Sequence, residues 1–423
     1  MRNGEEALRA TSRIFFSAFV VSCLLFWWLP SILFRLSGMH DPVGSWALWM
    51  SVVGLGTFAL GFFVSPRKVR SFFQPLICLP KLKFESRTLD SCEWLSYQAT
   101  VLVALLALAI ATRFFLYRLG TAYGQGEGIP RDYQVVLYLH LFLGLLYLGL
   151  AKTKPENARR ILVVSVLVAL PRLIISLRWG RFFFAQAAVP IIFIALARGW
   201  VRLSRKLILS FGVFAAFVIF VPALTRGDYF FGPNGLINFF SAGSTLRLFQ
   251  DNVGLDLSGK CPPLLVSLTA KTIPYSLLNV CTMEYLGSKG WPATLDRILT
   301  ENDPATEGTL EGTGSNYLLE LYLTGGVTAI VLGSVVFGFS SRCFVRWIGR
   351  RSAFAGIWAE CLSRALFAPR SNLGYVYEKI PALVVATLVA LWIAWLAHAR
   401  STAHRCNTAA VRTDVLIETP EAS

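Results

Sequence analysis

Charge is scarce in this chain. Of its 423 residues only 15% are Asp, Glu, Lys or Arg, while 55% are hydrophobic. A soluble domain carries roughly a quarter charged residues, so a water-soluble globular fold is excluded. Acids are scarcer than bases, 24 against 40, and the formal charge is +16. In a soluble protein that surplus would point to nucleic acid. In a membrane protein basic cytoplasmic loops account for it, and no nucleic-acid partner is expected. Only four histidines occur, His40, His140, His398 and His404, which leaves little room for a His-centred triad. Asp-x-Asp is absent, and with it the metal–nucleotide clasp of sugar-nucleotide transferases. There is no H-E-x-x-H and no G-x-S-x-G. The eight cysteines include no C-x-x-C pair, so neither a metal nor a cofactor is expected. Gly254–Cys261 (GLDLSGKC) approaches a phosphate-loop pattern. Cys261 stands where the magnesium-binding hydroxyl belongs, however, and no strand precedes it.

What the chain has instead is apolar length. A span needs about 20 apolar residues, and candidates fall at 14–34, 44–64, 98–117, 133–150, 161–177, 182–197, 206–224, 316–338, 353–368 and 380–398. The first is too long for a signal-peptide core and no small-residue cleavage site follows it, so it reads as a retained span. The expected fold is therefore all-α, a polytopic integral membrane protein of about ten transmembrane helices. The segments 1–13, 65–97, 151–160, 198–206, 342–351 and 399–423 hold 24 of the 40 basic residues, which predicts both termini in the cytoplasm. This divides the chain into seven N-terminal helices (1–224), a large outward loop (225–315), and three C-terminal helices with a tail (316–423). Within the loop, Asn234–Gln250 and Pro262–Gly287 read as amphipathic helices on the membrane surface. Cys261 and Cys281 lie there on the oxidising side and could form a disulfide.

Charges inside spans are costly and by default point to function. Arg113, Arg172, Glu320, Glu360 and Arg364 qualify, and all but Glu360 fall in the outer half of the expected topology. Arg178, Arg181, Arg226, Arg247 and Arg370 follow just outside the membrane on the same side. Together they could line a cationic, outward-opening cavity. The plain alternatives are that Arg113 snorkels and that Glu360 and Arg364, spaced i,i+4, satisfy each other. Arg172 follows Pro171, which is expected to interrupt its helix. With Arg178 and Arg181 it forms a basic trio where basic residues should be avoided. Guanidinium groups of this kind suit a diphosphate, because they bind phosphate oxygens in a two-pronged way and stay charged.

Glu311–Gly333 (EGTGSNYLLELYLTGGVTAIVLG) resembles the signature of the Wzy-type O-antigen and oligosaccharide-repeat-unit polymerases. The pattern is a Gly-Ser turn, a helix with Glu and Tyr, a Gly pair and an apolar run; Gly314, Ser315, Glu320, Tyr322, Gly325 and Gly326 match it. LRWGRFFF, with Arg178 and Arg181, and PRSNLGYVYEKIP, with Arg370, are similar to further parts of that family. The resemblance implies a metal-independent membrane glycosyltransferase of the bacterial inner membrane, active on the periplasmic face. It would move a growing glycan from undecaprenyl diphosphate onto a new undecaprenyl-diphosphate-linked repeat unit. Glu320, Arg172, Arg178, Arg181 and Arg370 would be catalytic, with Arg226, Arg247, Arg364, Tyr317, Tyr322 and Glu311 contacting substrate. Glu284 and Asp228 are reserve carboxylates beside Glu311. Lipid-linked oligosaccharide, membrane lipid, a chain-length regulator and a flippase are the implied partners. The nearest rival is an O-antigen ligase-like enzyme, which often uses a loop histidine; residues 225–315 contain none. A lipid-linked glycan transporter would show internal repeats, and none is visible.

Overall fold

The computed structural model describes residues 2–36, 43–64, 86–118, 131–152, 155–177, 181–201, 204, 246, 249, 316–370, 373–377 and 379–417. Among them every regular element is helical. Helix α1 (Arg2–Cys23) runs through a π turn (Leu24–Trp28) into α2 (Leu29–Leu36), and α3 (Ser45–Phe63) follows. Next come α4 (Ser86–Arg118), α5 (Arg131–Leu150), α6 (Pro155–Ser176) and α7 (Arg181–Ala197). The C-terminal part holds α8 (Tyr317–Ile348), α9 (Ala355–Ala365), a 3-10 turn (Ala368–Arg370), α10 (Leu373–Tyr377) and α11 (Ile380–Ile417).

Among the described residues six helices are long and apolar enough to cross a membrane: Gly4–Leu33, Ser45–Phe63, Ser86–Tyr117, Asp132–Leu150, Gly325–Ile348 and Ile380–Ala399. Three expected spans take other forms. The 161–177 run is the helix Pro155–Ser176, which continues through Pro171 rather than being interrupted there. Neighbouring helices can stabilise a proline of this kind, because they re-satisfy the backbone group it frees. The 182–197 run is a shorter apolar helix, Phe183–Ala197. The 353–368 run is α9, and its 11 residues reach only about 16 Å, half a bilayer core. The expected 206–224 span lies outside the described residues.

The closest packing joins α3 to α8, which run side by side in parallel. Glycines on both partners make this possible. A Cβ at Gly61 would overlap the Val335 carbonyl, and one at Gly338 would overlap the Phe58 carbonyl. In lipid, where apolar burial alone does not drive helices together, such close approach is what binds them. Phe19 stacks on Phe58 at 4.0 Å, and Phe337 closes on Phe58 at 5.3 Å. Gly338→Ala is therefore expected to lower stability by about 1–3 kcal/mol through overpacking. Gly56→Ala should leave it unchanged, since a Cβ there meets nothing within 4 Å. Equal melting midpoints for the two variants in detergent would show that the helices are not in backbone contact.

One end of the bundle is closed by a polar network. Arg351 donates to Asp90 (2.6 Å), to Glu93 (2.9 Å) and to the Leu150 carbonyl (2.6 Å). Lys152 pairs with Asp90 at 2.6 Å. Arg198 donates to the carbonyls of Ala151, Gly149 and Arg350. Burial, with Arg351 beside it, pushes the Arg198 guanidinium down to about 10, so it is charged at neutral pH. Leu8 of α1 lies against Gly349 at this end. Segments expected to share one side of the membrane thus meet here: the N-terminus, the start of α4, 151–152, 198 and 349–351.

Helix α9 sits inside the bundle against α5, α7 and α8, and all eleven of its residues are buried. Gly356 makes this possible, as its Cα comes close to the Leu145 backbone of α5. Within α9, Arg364 pairs with Glu360 at 2.8 Å, both almost fully buried. A buried charge of either sign alone would be costly, and the pair offsets that cost.

Candidate active site

The opposite end of the bundle is built on a break in α8. Gly325 (φ −175°, ψ 27°) and Gly326 (φ 63°, ψ −152°) leave helical geometry. The Gly326 conformation is one that glycine alone adopts readily. The membrane-length part starts here, at Gly325, and runs to Ile348. This corrects the expected 316–338 span. The two turns before the break form a separate segment, capped where the Asn316 side chain accepts the Leu318 N–H at 2.8 Å. Tyr317 through Leu321 of this segment are buried.

Glu320 is 5% exposed, and its carboxylate accepts the backbone N–H of Leu373, the first residue of α10. The bond fixes the segment before the break to the turn after α9. Arg370 lies three residues before Leu373, at the close of the 3-10 turn, where its N–H donates to the Phe367 carbonyl at 2.8 Å. Its side chain is exposed, with the guanidinium 5.5 Å from the centre of the Phe26 ring. An acidic and a basic group are thus brought to one end of the bundle from residues fifty positions apart.

The π turn of the first span meets the same place. The Trp27 indole N–H donates to the Pro369 carbonyl at 2.9 Å, and Ser22 donates to the Leu366 carbonyl at 2.5 Å. Trp27 is fully buried, with its ring 5.7 Å from Tyr317. Sequence reasoning missed these residues. A π turn has no composition signal, and a Trp pair near the end of an apolar run reads as an ordinary interfacial belt.

The other expected site residues are spread more widely. Tyr317 is fully buried against Trp27 and Phe337. Tyr322 packs edge-on against Trp46 (5.2 Å) and Phe249 (5.8 Å). Leu246 and Phe249 are the two described residues of the outward loop, and both are helical and buried. Arg172 is 1% exposed and ties three helices together. It donates to Gln186 of α7 at 3.0 Å and to the Leu137 carbonyl of α5 at 3.1 Å. Tyr138 stands beside it at 5.1 Å and also carries the Lys379 ammonium, 5.6 Å from its ring centre. Arg113 donates to the Tyr133 hydroxyl at 2.9 Å. Arg364 is in the buried pair of α9. Arg181 opens α7. Arg178, Arg226, Arg247, Glu311, Glu284, Asp228, Cys261 and Cys281 lie outside the described residues, as do the surface helices expected at Pro262–Gly287 and most of Asn234–Gln250.

Fold and site together define a multi-pass, all-helical membrane protein with a carboxylate and a guanidinium gathered at one end. The family model of the O-antigen polysaccharide polymerase Wzy matches residues 297–398, bearing out the resemblance. Glu320, the Gly325–Gly326 break, α9, Arg370 and α10 all fall within that match. No curated protein and no solved structure matches the chain.

Proposed function

We propose that this protein is a polysaccharide polymerase of the outer face of the bacterial inner membrane, joining lipid-linked repeat units into O-antigen or a related surface polymer. The observation that carries the reading is the match at 297–398, because it encloses the two groups that the Glu320–Leu373 bond holds at one end. The donor is a glycan on undecaprenyl diphosphate and the acceptor a hydroxyl of a new lipid-linked repeat unit. The acceptor oxygen bonds to the donor's anomeric carbon as the bond from that carbon to the diphosphate oxygen breaks. Undecaprenyl diphosphate leaves with the bonding electrons.

That leaving group needs neutralising rather than activating. Arg370, with Arg178 and Arg181 as further candidates, supplies fixed positive charge for the diphosphate. Glu320 takes the proton from the acceptor hydroxyl or orients it. The lipid-facing surfaces give the polyprenyl chains an apolar place to lie. In this reading the Arg351 end faces the cytoplasm and the Glu320 end the periplasm. A flippase delivers the repeat units and a chain-length regulator limits the product.

Deleting the gene tests the function directly. The expected lipopolysaccharide carries single repeat units on its lipid A core and no long-chain ladder. Loss of the single capped unit as well would indicate a ligase, and an unchanged ladder would discard both activities.

A further inference from the structure

The first span interrupts its own regular helix where it meets the turn before Arg370. A π turn adds a residue to a helical turn, weakens the local ladder and redirects side chains, so it needs compensating contacts. Here the compensation is specific. Within six residues, Ser22 and Trp27 donate to the carbonyls of Leu366 and Pro369, and Phe26 lies against the Arg370 guanidinium. Trp28 points the other way and donates to Ser51 of α3 at 2.9 Å, which anchors the π turn to the α3–α8 pair. The Trp27 ring also rests on Tyr317, one turn before Glu320. One side chain therefore touches the residue preceding Arg370 and the helical turn preceding Glu320.

We propose that Trp27 is a positioning residue for the polymerisation reaction, setting the separation of Arg370 from Glu320, with Phe26 holding the Arg370 guanidinium plane. This rests on the polymerase reading above. Contacts that act only in the transition state change turnover more than substrate affinity, and a small displacement of a charged group is enough to weaken them. Trp27→Phe keeps an aromatic ring in the core but removes the N–H, leaving the buried Pro369 carbonyl without that donor.

The test is kinetic, with purified full-length enzyme and lipid-linked repeat units. Trp27→Phe is expected to lower kcat about 10-fold, with KM within about 2-fold of the parent. In an Arg370→Lys background the same change should cost less than about 2-fold, because the geometry that Trp27 sets is already lost. Parental kcat for Trp27→Phe overturns the proposal. So does an equal loss in both backgrounds, which is the signature of general destabilisation. If Trp27→Phe does not fold, Phe26→Leu decides by the same cycle, since it keeps apolar bulk and removes the ring face. Normal polymerisation by both Arg370→Ala and Glu320→Gln would instead overturn the site itself. Loss of activity in those two with a parental Trp27→Phe sinks only the positioning role.

Discussion

Glu320→Gln is expected to fold normally and to polymerise at least about 100-fold more slowly than the parent. The structure makes this substitution informative. The Gln amide oxygen can still accept the Leu373 N–H that the Glu320 carboxylate accepts, so the tie between α8 and α10 survives. What disappears is the negative charge and the capacity to take a proton. Glu320→Ala removes the tie as well and should lower the melting midpoint. Purified variants supplied with lipid-linked repeat units and read as a gel ladder separate the two roles. A stable, fully active Gln variant would remove Glu320 from the chemistry and direct attention to Glu311, Glu284 and Asp228. A Gln variant that folds poorly but polymerises normally would make Glu320 a structural tether.

Arg370→Ala is expected to reduce polymerisation by about 30- to 1000-fold at near-normal protein level. That is the cost of losing one charge-assisted contact to the diphosphate as charge builds on it in the transition state. Arg370 is the exposed last residue of a turn whose other residues, Ala368 and Pro369, are buried, so removing its side chain leaves the buried packing intact. Arg370→Lys should restore activity only in part, since an ammonium cannot grip two phosphate oxygens in one plane. Arg172→Ala offers the contrast. Arg172 is buried and holds Gln186 and the Leu137 carbonyl, so its loss should deplete folded protein. Normal ladders from Arg370→Ala, with Arg178→Ala and Arg181→Ala also normal, would show that the cationic group is not the active site.

Span-length apolar runs were legible in the sequence because hydropathy reports length, and the bilayer fixes what length is needed. Ser45–Phe63 and Asp132–Leu150 follow closely from the runs at 44–64 and 133–150. Hydropathy does not report what covers a helix. Residues 353–368 look like a short span, yet protein rather than lipid surrounds α9 on every side. The Gly325–Gly326 pair was visible as part of a motif. The helix break at that pair, which moves the start of the membrane-length part past Glu320, leaves no mark on hydropathy. Hydropathy likewise does not report the partners of Arg172 and Arg364. Both satisfy the rule that intramembrane charge is costly, and both reach partners inside the protein. Trp27 was illegible for a different reason, since its partner is a backbone carbonyl 342 positions away.

The short interior helix bears on how the chain is made. Eleven residues carrying Glu360 and Arg364 gain too little from lipid to partition into a bilayer unaided. During synthesis α9 leaves the ribosome after α5 and α7, the helices that enclose it, and a cleft must already be waiting when it emerges. Biogenesis is therefore ordered, with the N-terminal helices acting as an intramolecular chaperone for a segment that lipid alone would not hold.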